Sequence, residues 1–152
     1  YSQRAIEDLE KAAHVLGVRL ETVAATNERE IDAAFVTFSE RRTSAMIVGA
    51  GPFFNSRRAR ITALAARHAI PAMYVFREFA EAGGLLTYGA SITDAYHQCG
   101  IYVGRILKGE KPADLPVVQA TKIEMVINLK AAKALGLVFP HTMLGRADDV
   151  IE

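Results

Sequence analysis

Cysteine is nearly absent from this sequence: Cys99 stands alone in 152 residues. No internal disulfide and no multi-cysteine metal site can form from one thiol. Long apolar runs are missing too, and none reaches the roughly 18 uncharged residues of a membrane span. Neither sign of charge is in excess: 18 Lys and Arg oppose 17 Asp and Glu, for a net charge of +1. That balance gives no electrostatic footing for nucleic acid or an anionic membrane surface. What the chain has is a hydrophobic content of 51%, enough for a packed core and incompatible with disorder. Its length suits one domain of about 150 residues.

Catalytic patterns are equally scarce. None of His14, His68, His97 and His141 stands four residues from another or beside a carboxylate at ligand spacing, which argues against a metal site. No glycine-rich run ends in Lys-Ser or Lys-Thr, so the phosphate-cradling P-loop is absent. Ser56 lacks the Gly-x-Ser-x-Gly setting of a hydrolase nucleophile. Gly49, Ala50 and Gly51 follow an apolar run, but Pro52 intrudes and Phe54 occupies the third glycine position of a dinucleotide fingerprint. A phospho-receiver needs acids at strand ends, where Ala25, Gly49, Ala50 and Phe76 stand instead. The residues offer no catalytic set, no metal site and no cofactor site, so an enzyme is not expected.

The periodicity alternates helix and strand. Ile6, Leu9, Ala13 and Leu16 share a helical face that begins near Ser2 and stops at Gly17. A chain that opens inside a helix reads as a fragment or processed product. Residues 18–25 predict a strand, and Asn27 with Glu30 predicts a capped helix carrying Ile31, Ala34, Phe35 and Phe38. The run 44–50 predicts a central strand buried on both faces. A helix capped at Asn55 or Ser56 is expected to reach His68, followed by a strand at 71–76, a short helix at 78–82 and a strand at 85–88. This order predicts an α/β fold, a parallel sheet flanked by helices on both faces. Beyond it, Ser91 and Asp94 cap a helix to about 107. Residues 117–127 predict a strand interrupted near Thr121 and Lys122, and Asn128 caps a last helix. Cys99, on a face with Ile92, Ala95, Val103 and Ile106, reads as a small buried hydrophobe. Arg57, Arg58 and Arg60 read as a solvated helix face, with an anionic ligand as the alternative. The adjacent Phe53 and Phe54 fit a ligand or lobe contact, since ligands of open α/β sheets bind at the carboxyl ends of strands.

From this loop onward the chain resembles a known family. The run Val48-Gly49-Ala50-Gly51-Pro52-Phe53-Phe54-Asn55-Ser56-Arg57-Arg58 is similar to the ligand loop of bacterial ABC-transporter substrate-binding proteins of the type I periplasmic-binding-protein kind, which include tryptophan and tyrosine binders. Arg77-Glu78-Phe79, Gly83-Gly84-Leu85-Leu86-Thr87-Tyr88-Gly89, Gly104-Arg105-Ile106-Leu107-Lys108-Gly109 and Asn128-Leu129-Lys130-Ala131-Ala132 continue the likeness to Arg146-Ala147-Asp148-Asp149-Val150-Ile151-Glu152. The chain resembles only the C-terminal half of such a two-lobed protein. It departs at Gly51, where an Asp is common in the family.

The resemblance implies a Rossmann-like ligand-binding lobe formed by residues 1–88 and 117–152. Residues 89–116 would then be a crossover helix and linker that packs on the other lobe. It implies a small organic solute, such as an amino acid, held in an interlobe cleft. It also implies a permease partner and a periplasmic or membrane-anchored extracytoplasmic location. The alternative on the same fold is the effector domain of a lac-repressor-type regulator. The implied cleft residues are Thr26, Asn27, Pro52, Phe53, Phe54, Asn55, Ser56, Phe76, Tyr88 and Ser91, with Arg77 beside them. Helix N-termini at Asn27, Asn55 and Ser91 would face a carboxylate. If the other lobe is lacking, the apolar stripe of helix 91–107 offers a homodimer surface.

Overall fold

The computed structural model describes residues 3–119 and 122–152, so the expected interruption at Thr121 lies outside the described residues. Helix α1 (Gln3–Leu16) ends where Gly17 turns the backbone to φ +66°, a conformation that costs glycine little. Residues 18–25 are extended but form no strand, contrary to expectation. Apolar, β-branched residues favour extended backbone, whereas a strand also needs a neighbour. Among the described residues, none gives or takes a backbone–backbone hydrogen bond with residues 19–25.

Helix α2 (Glu28–Glu40) is capped as its sequence predicts: Asn27 Oδ1 accepts from the Glu30 amide at 3.0 Å, and Asn27 Nδ2 donates back to the Glu30 carboxylate at 2.7 Å. Strand β1 (Met46–Ile47) follows, then α3 (Pro52–Ser56) and α4 (Arg58–Arg67). One continuous helix capped at Asn55 or Ser56 was the expectation. Pro52 instead starts α3 early, because its fixed φ suits the first helical position, and the chain breaks at Arg57 with φ −108°. Strand β2 (Ala72–Tyr74), α5 (Arg77–Glu81) and β3 (Leu86–Ala90) complete the alternating part.

Ser91 then caps α6 (Ile92–Leu107), its hydroxyl accepting from the Asp94 amide. The chain returns through β4 (Ile123–Asn128), α7 (Leu129–Ala134), α8 (His141–Leu144) and β5 (Asp149–Ile151). Asn128 caps α7 through Ala131 and also donates to the Ala80 carbonyl at 3.1 Å, tying β4 to α5.

The five strands lie in chain order, parallel except where β4 runs antiparallel to β3. The fold is α/β, as the sequence predicts, and α6 supplies the reversal that turns β4 around. The core joins Ile31 and Phe35 of α2, Ile61 and Ala65 of α4, Tyr74 of β2 and Phe79 of α5. Tyr74 and Phe79 stack with centroids 4.6 Å apart, and burial pushes the Tyr74 hydroxyl pKa above its ordinary range.

Two further expectations fail. The 44–50 run is an edge rather than a central strand, with Ile47 45% exposed. Cys99 is exposed, because α6 buries none of its residues against the described chain.

Glycine is required at Gly89, where a Cβ would stand 2.3 Å from the Val75 carbonyl oxygen and 2.6 Å from Val75 Cγ1. Gly89→Ala is expected to destabilise by about 1–3 kcal/mol in urea unfolding. Gly100→Ala in α6, where nothing lies within 4 Å of the added Cβ, is expected to stabilise by about 0.5–1 kcal/mol. Equal effects at the two positions would contradict this reading of the packing.

Candidate functional site

Parallel strands deliver their following loops to one end of a sheet. Residues after β1, β2 and β3 therefore emerge together: Gly49 to Arg57, Val75 to Arg77, and Ser91. Ion pairs bring Thr26 and Asn27 to the same end. Arg57 Nε lies 2.5 Å from Glu28 Oε1, and Arg60 Nη2 lies 2.6 Å from Asp32 Oδ2, which locks the first turns of α2 and α4 side by side. These arginines are thus paired across helices and are not simply solvated. The signal was in the sequence, since Glu28 and Asp32 stand four apart and Arg57 and Arg60 three apart, each pair on one helical face.

The implied cleft residues differ in what they have free. Thr26 is committed to capping: its amide and hydroxyl donate to Glu30 Oε2 at 2.6 and 2.9 Å. With Asn27, these bonds hold the Glu30 carboxyl below its usual range, the Thr26 amide contributing most. Ser91 is buried and its oxygen caps α6. Ser56 donates to the Phe53 carbonyl at 2.7 Å. Asn55 lies inside α3, so the helix N-terminus expected there is not formed.

The aromatic residues are better placed to meet a solute. Phe53 and Phe54 are half-buried on the core cluster with ring centroids 5.5 Å apart, so both rings fold over it. Phe76 is half-buried at the start of α5, and Tyr88 is 55% exposed on β3. Pro52 is exposed at the first position of α3.

Three side-chain atoms at this end are buried without a hydrogen-bond partner: Asn55 Oδ1, Glu78 Oε2 and Arg57 Nε, the last ion-paired with Glu28. Sequence reasoning did not single out Glu78. Its available signal was a carboxylate in the first turn after a parallel strand. Asn55 belongs to α3, after β1, and Glu78 to α5, after β2. Thr62 of α4 donates to the Ala82 carbonyl at 2.9 Å, and Glu78 stands one helical turn before Ala82. Asn55 lies in α3, separated from α4 by the break at Arg57.

The surrounding cations have partners already. Arg77 pairs with Asp149 and Glu81, Asp149 foremost in raising its pKa. Arg58 Nη1 donates to the Asn55 carbonyl at 3.0 Å. Buried acceptors without donors cost free energy, and a donor supplied by a ligand or water would remove that cost. Among the described residues, no group of three or more His, Cys, Asp and Glu is placed to hold a metal ion.

Comparison with known proteins fits this geometry. A family profile described as ABC transporter substrate binding protein matches residues 1–151. No curated protein matches. The ABC domain of a Streptococcus pneumonia protein solved in complex with L-Trp is 27% identical, with a TM-score of 0.85 over 99% of this chain and 52% of that one. A conserved domain protein from Vibrio cholerae O1 biovar El Tor gives 24% identity and a TM-score of 0.84, covering 97% of this chain and 49% of its own. The ligand-free, open structure of CD0873, a substrate binding protein with adhesive properties from Clostridium difficile, gives 19% and 0.66, covering 99% and 50%. The last two likenesses concern the fold. The chain spans about half the length of each of these three solved structures. By the match over nearly all its residues, the chain belongs to the ABC-transporter substrate-binding protein family.

Proposed function

We propose that this chain forms one wall of a cleft that binds a small organic solute carrying a hydrogen-bond donor, an aromatic amino acid or amine being the first class to test. The observation that carries the reading is the pair of buried, unpartnered acceptors, Asn55 Oδ1 and Glu78 Oε2, at the strand end where Phe53, Phe54, Phe76 and Tyr88 gather. An ammonium group would satisfy such acceptors, and rings would stack on the aromatic residues. Glu78 offers the carboxylate that Gly51 cannot supply. The L-Trp held by the Streptococcus relative supports an aromatic amino acid as the starting point.

The other wall belongs, in this reading, to a second lobe. Helix α6 supports that division: Tyr96, Val103 and Leu107 are 75%, 55% and 82% exposed, and no described residue covers them. Residues 1–88 and 117–152 would then be the binding lobe. Residues 89–116 would cross to the partner lobe, and a homodimer through α6 would be the competing use of that face. In this reading the solute is delivered to a membrane permease from an extracytoplasmic location, and family membership supports it.

Binding of tryptamine, L-tryptophan and indole-3-propionate to the full-length protein, measured by calorimetry, tests the site. Tryptamine and L-tryptophan are expected to bind, and indole-3-propionate, which lacks the ammonium, about tenfold or more weaker. Glu78→Gln should remove that preference while leaving the fold unchanged. Equal binding of the propionate, or a preference indifferent to Glu78→Gln, would contradict the assignment. For the aromatic wall, Phe53→Ala is expected to weaken tryptamine binding by about 1–3 kcal/mol, and an unchanged affinity would take that ring out of the site.

A further inference from the structure

A cavity of about 240 Å³ lies at the end of the sheet away from the aromatic cluster. Ile70 and Ala72 at the start of β2, Gly84 just before β3, and Asn128 at the end of the antiparallel β4 help to line it. The space is left by small side chains: Ala65 and Ala66 of α4 line one side, and Ala131 and Ala134 of α7 line another. Gly84 keeps the wall thin, since a Cβ there would stand 2.7 Å from both the Phe79 carbonyl oxygen and Tyr74 Cε2. That contact sets the hydroxyl end of the Tyr74 ring beside the cavity, which Tyr74 also lines. Tyr74 is 1% exposed, yet its hydroxyl makes no hydrogen bond within the described chain. Burial pushes its pKa upward, so the group keeps a proton to donate. The other interior polar side chains are bonded elsewhere. Thr62 donates to the Ala82 carbonyl at 2.9 Å, and Asn128 bonds the Ala80 carbonyl and the Ala131 amide. Among the lining residues only Lys130 is charged, and it is exposed.

We propose that this cavity is a second binding site, for a small uncharged molecule with an apolar body and one oxygen acceptor, an aromatic alcohol being the class that fits. Size follows from the volume. A cavity of about 150 Å³ accepts benzene, so this one has room for about eight to ten heavy atoms. The acceptor follows from Tyr74, a buried donor whose unmade bond costs free energy until an oxygen meets it. Water meets that need poorly, because an ordered water takes about two to four polar partners and only the phenol lacks one in the interior. An ion would lose its hydration with no interior charge to compensate it. The apolar body is left to Ala65, Ile70, Ala131 and Leu135, which supply dispersion contacts and no competing polar group. The site stands at the opposite end of β2 and β3 from the cleft, so it holds or fails independently of the solute assignment.

Titration of the methyl-labelled full-length protein with benzyl alcohol and with toluene, followed by NMR, tests it. Benzyl alcohol is expected to shift the Ala65 and Ala131 methyl signals saturably, with a dissociation constant of about 1 mM or below. Tyr74→Phe should weaken benzyl alcohol about three- to tenfold and leave toluene, which has no oxygen to accept the bond, within about twofold. Ala131→Leu, which fills the cavity, should abolish binding of both. Shifts that fail to saturate by about 10 mM, as for a void holding only water, would overturn the proposal. So would an affinity for benzyl alcohol indifferent to Tyr74→Phe. Shifts at Ala50, beside the aromatic cluster, without shifts at Ala65 and Ala131 would place the alcohol in the cleft and overturn it too. Should Tyr74→Phe not fold, Ala131→Leu decides, since binding that survives in the filled cavity rules the site out.

Discussion

Parallel pairing of β1 with β2 and of β2 with β3 is the constraint on which the molecule depends. Residues 46–47 lie beside 72–73, and 73–74 beside 86–87, so three strands point the same way. Parallel strands need crossovers, and the helices that supply them give the core its second layer through Ile31, Phe35, Ile61 and Phe79. The same geometry gathers the loops after each strand at one end. Fold and candidate site are thus two consequences of one pairing pattern, and Gly89, pressed against Val75, is where that pattern tolerates least change.

Electrostatics sharpens the site by elimination. The arginines near the strand ends are engaged: Arg57 and Arg60 with Glu28 and Asp32, Arg77 with Asp149 and Glu81. Exposed pairs of this kind add little stability, but here they fix the relative rotation of α2 and α4 and leave fewer free cations at the cleft. Glu30 is occupied by Thr26 and Asn27. Glu78 Oε2 and Asn55 Oδ1 remain without partners among aromatic side chains. In the proposed reading these two atoms meet the solute, whose group there is a donor, favoured if positive.

Much of this was legible in the sequence because its cause is local. The caps at Asn27, Ser91 and Asn128 and the stop at Gly17 each follow from residues within one turn, and all form as expected. The α/β fold class and the family likeness were legible too, and the match over residues 1–151 decides for the transporter family over the regulator alternative. What sequence reading missed depends on distant partners. The run 45–50 has the composition of an internal strand and lies at an edge, and 18–25 is strand-like without a strand to join. Cys99 shares an apolar stripe, yet nothing in the described chain covers it. Asn55 could cap a helix, but Pro52 begins one three residues sooner. Glu78 had only its place in the first turn of α5 as a sequence signal, and its unsatisfied oxygen is a property of packing that no spacing rule encodes.

The central claim, that the carboxyl ends of β1, β2 and β3 form the solute-binding wall, is tested most directly by a crystal structure of the full-length protein. The crystals should carry the solute that native mass spectrometry finds retained through gentle purification. The account predicts that solute in contact with residues 52–56 and with Glu78, its donor group toward the Glu78 carboxylate. A solute that makes no contact with residues 52–56, with the Glu78 oxygen still unpartnered, would contradict it.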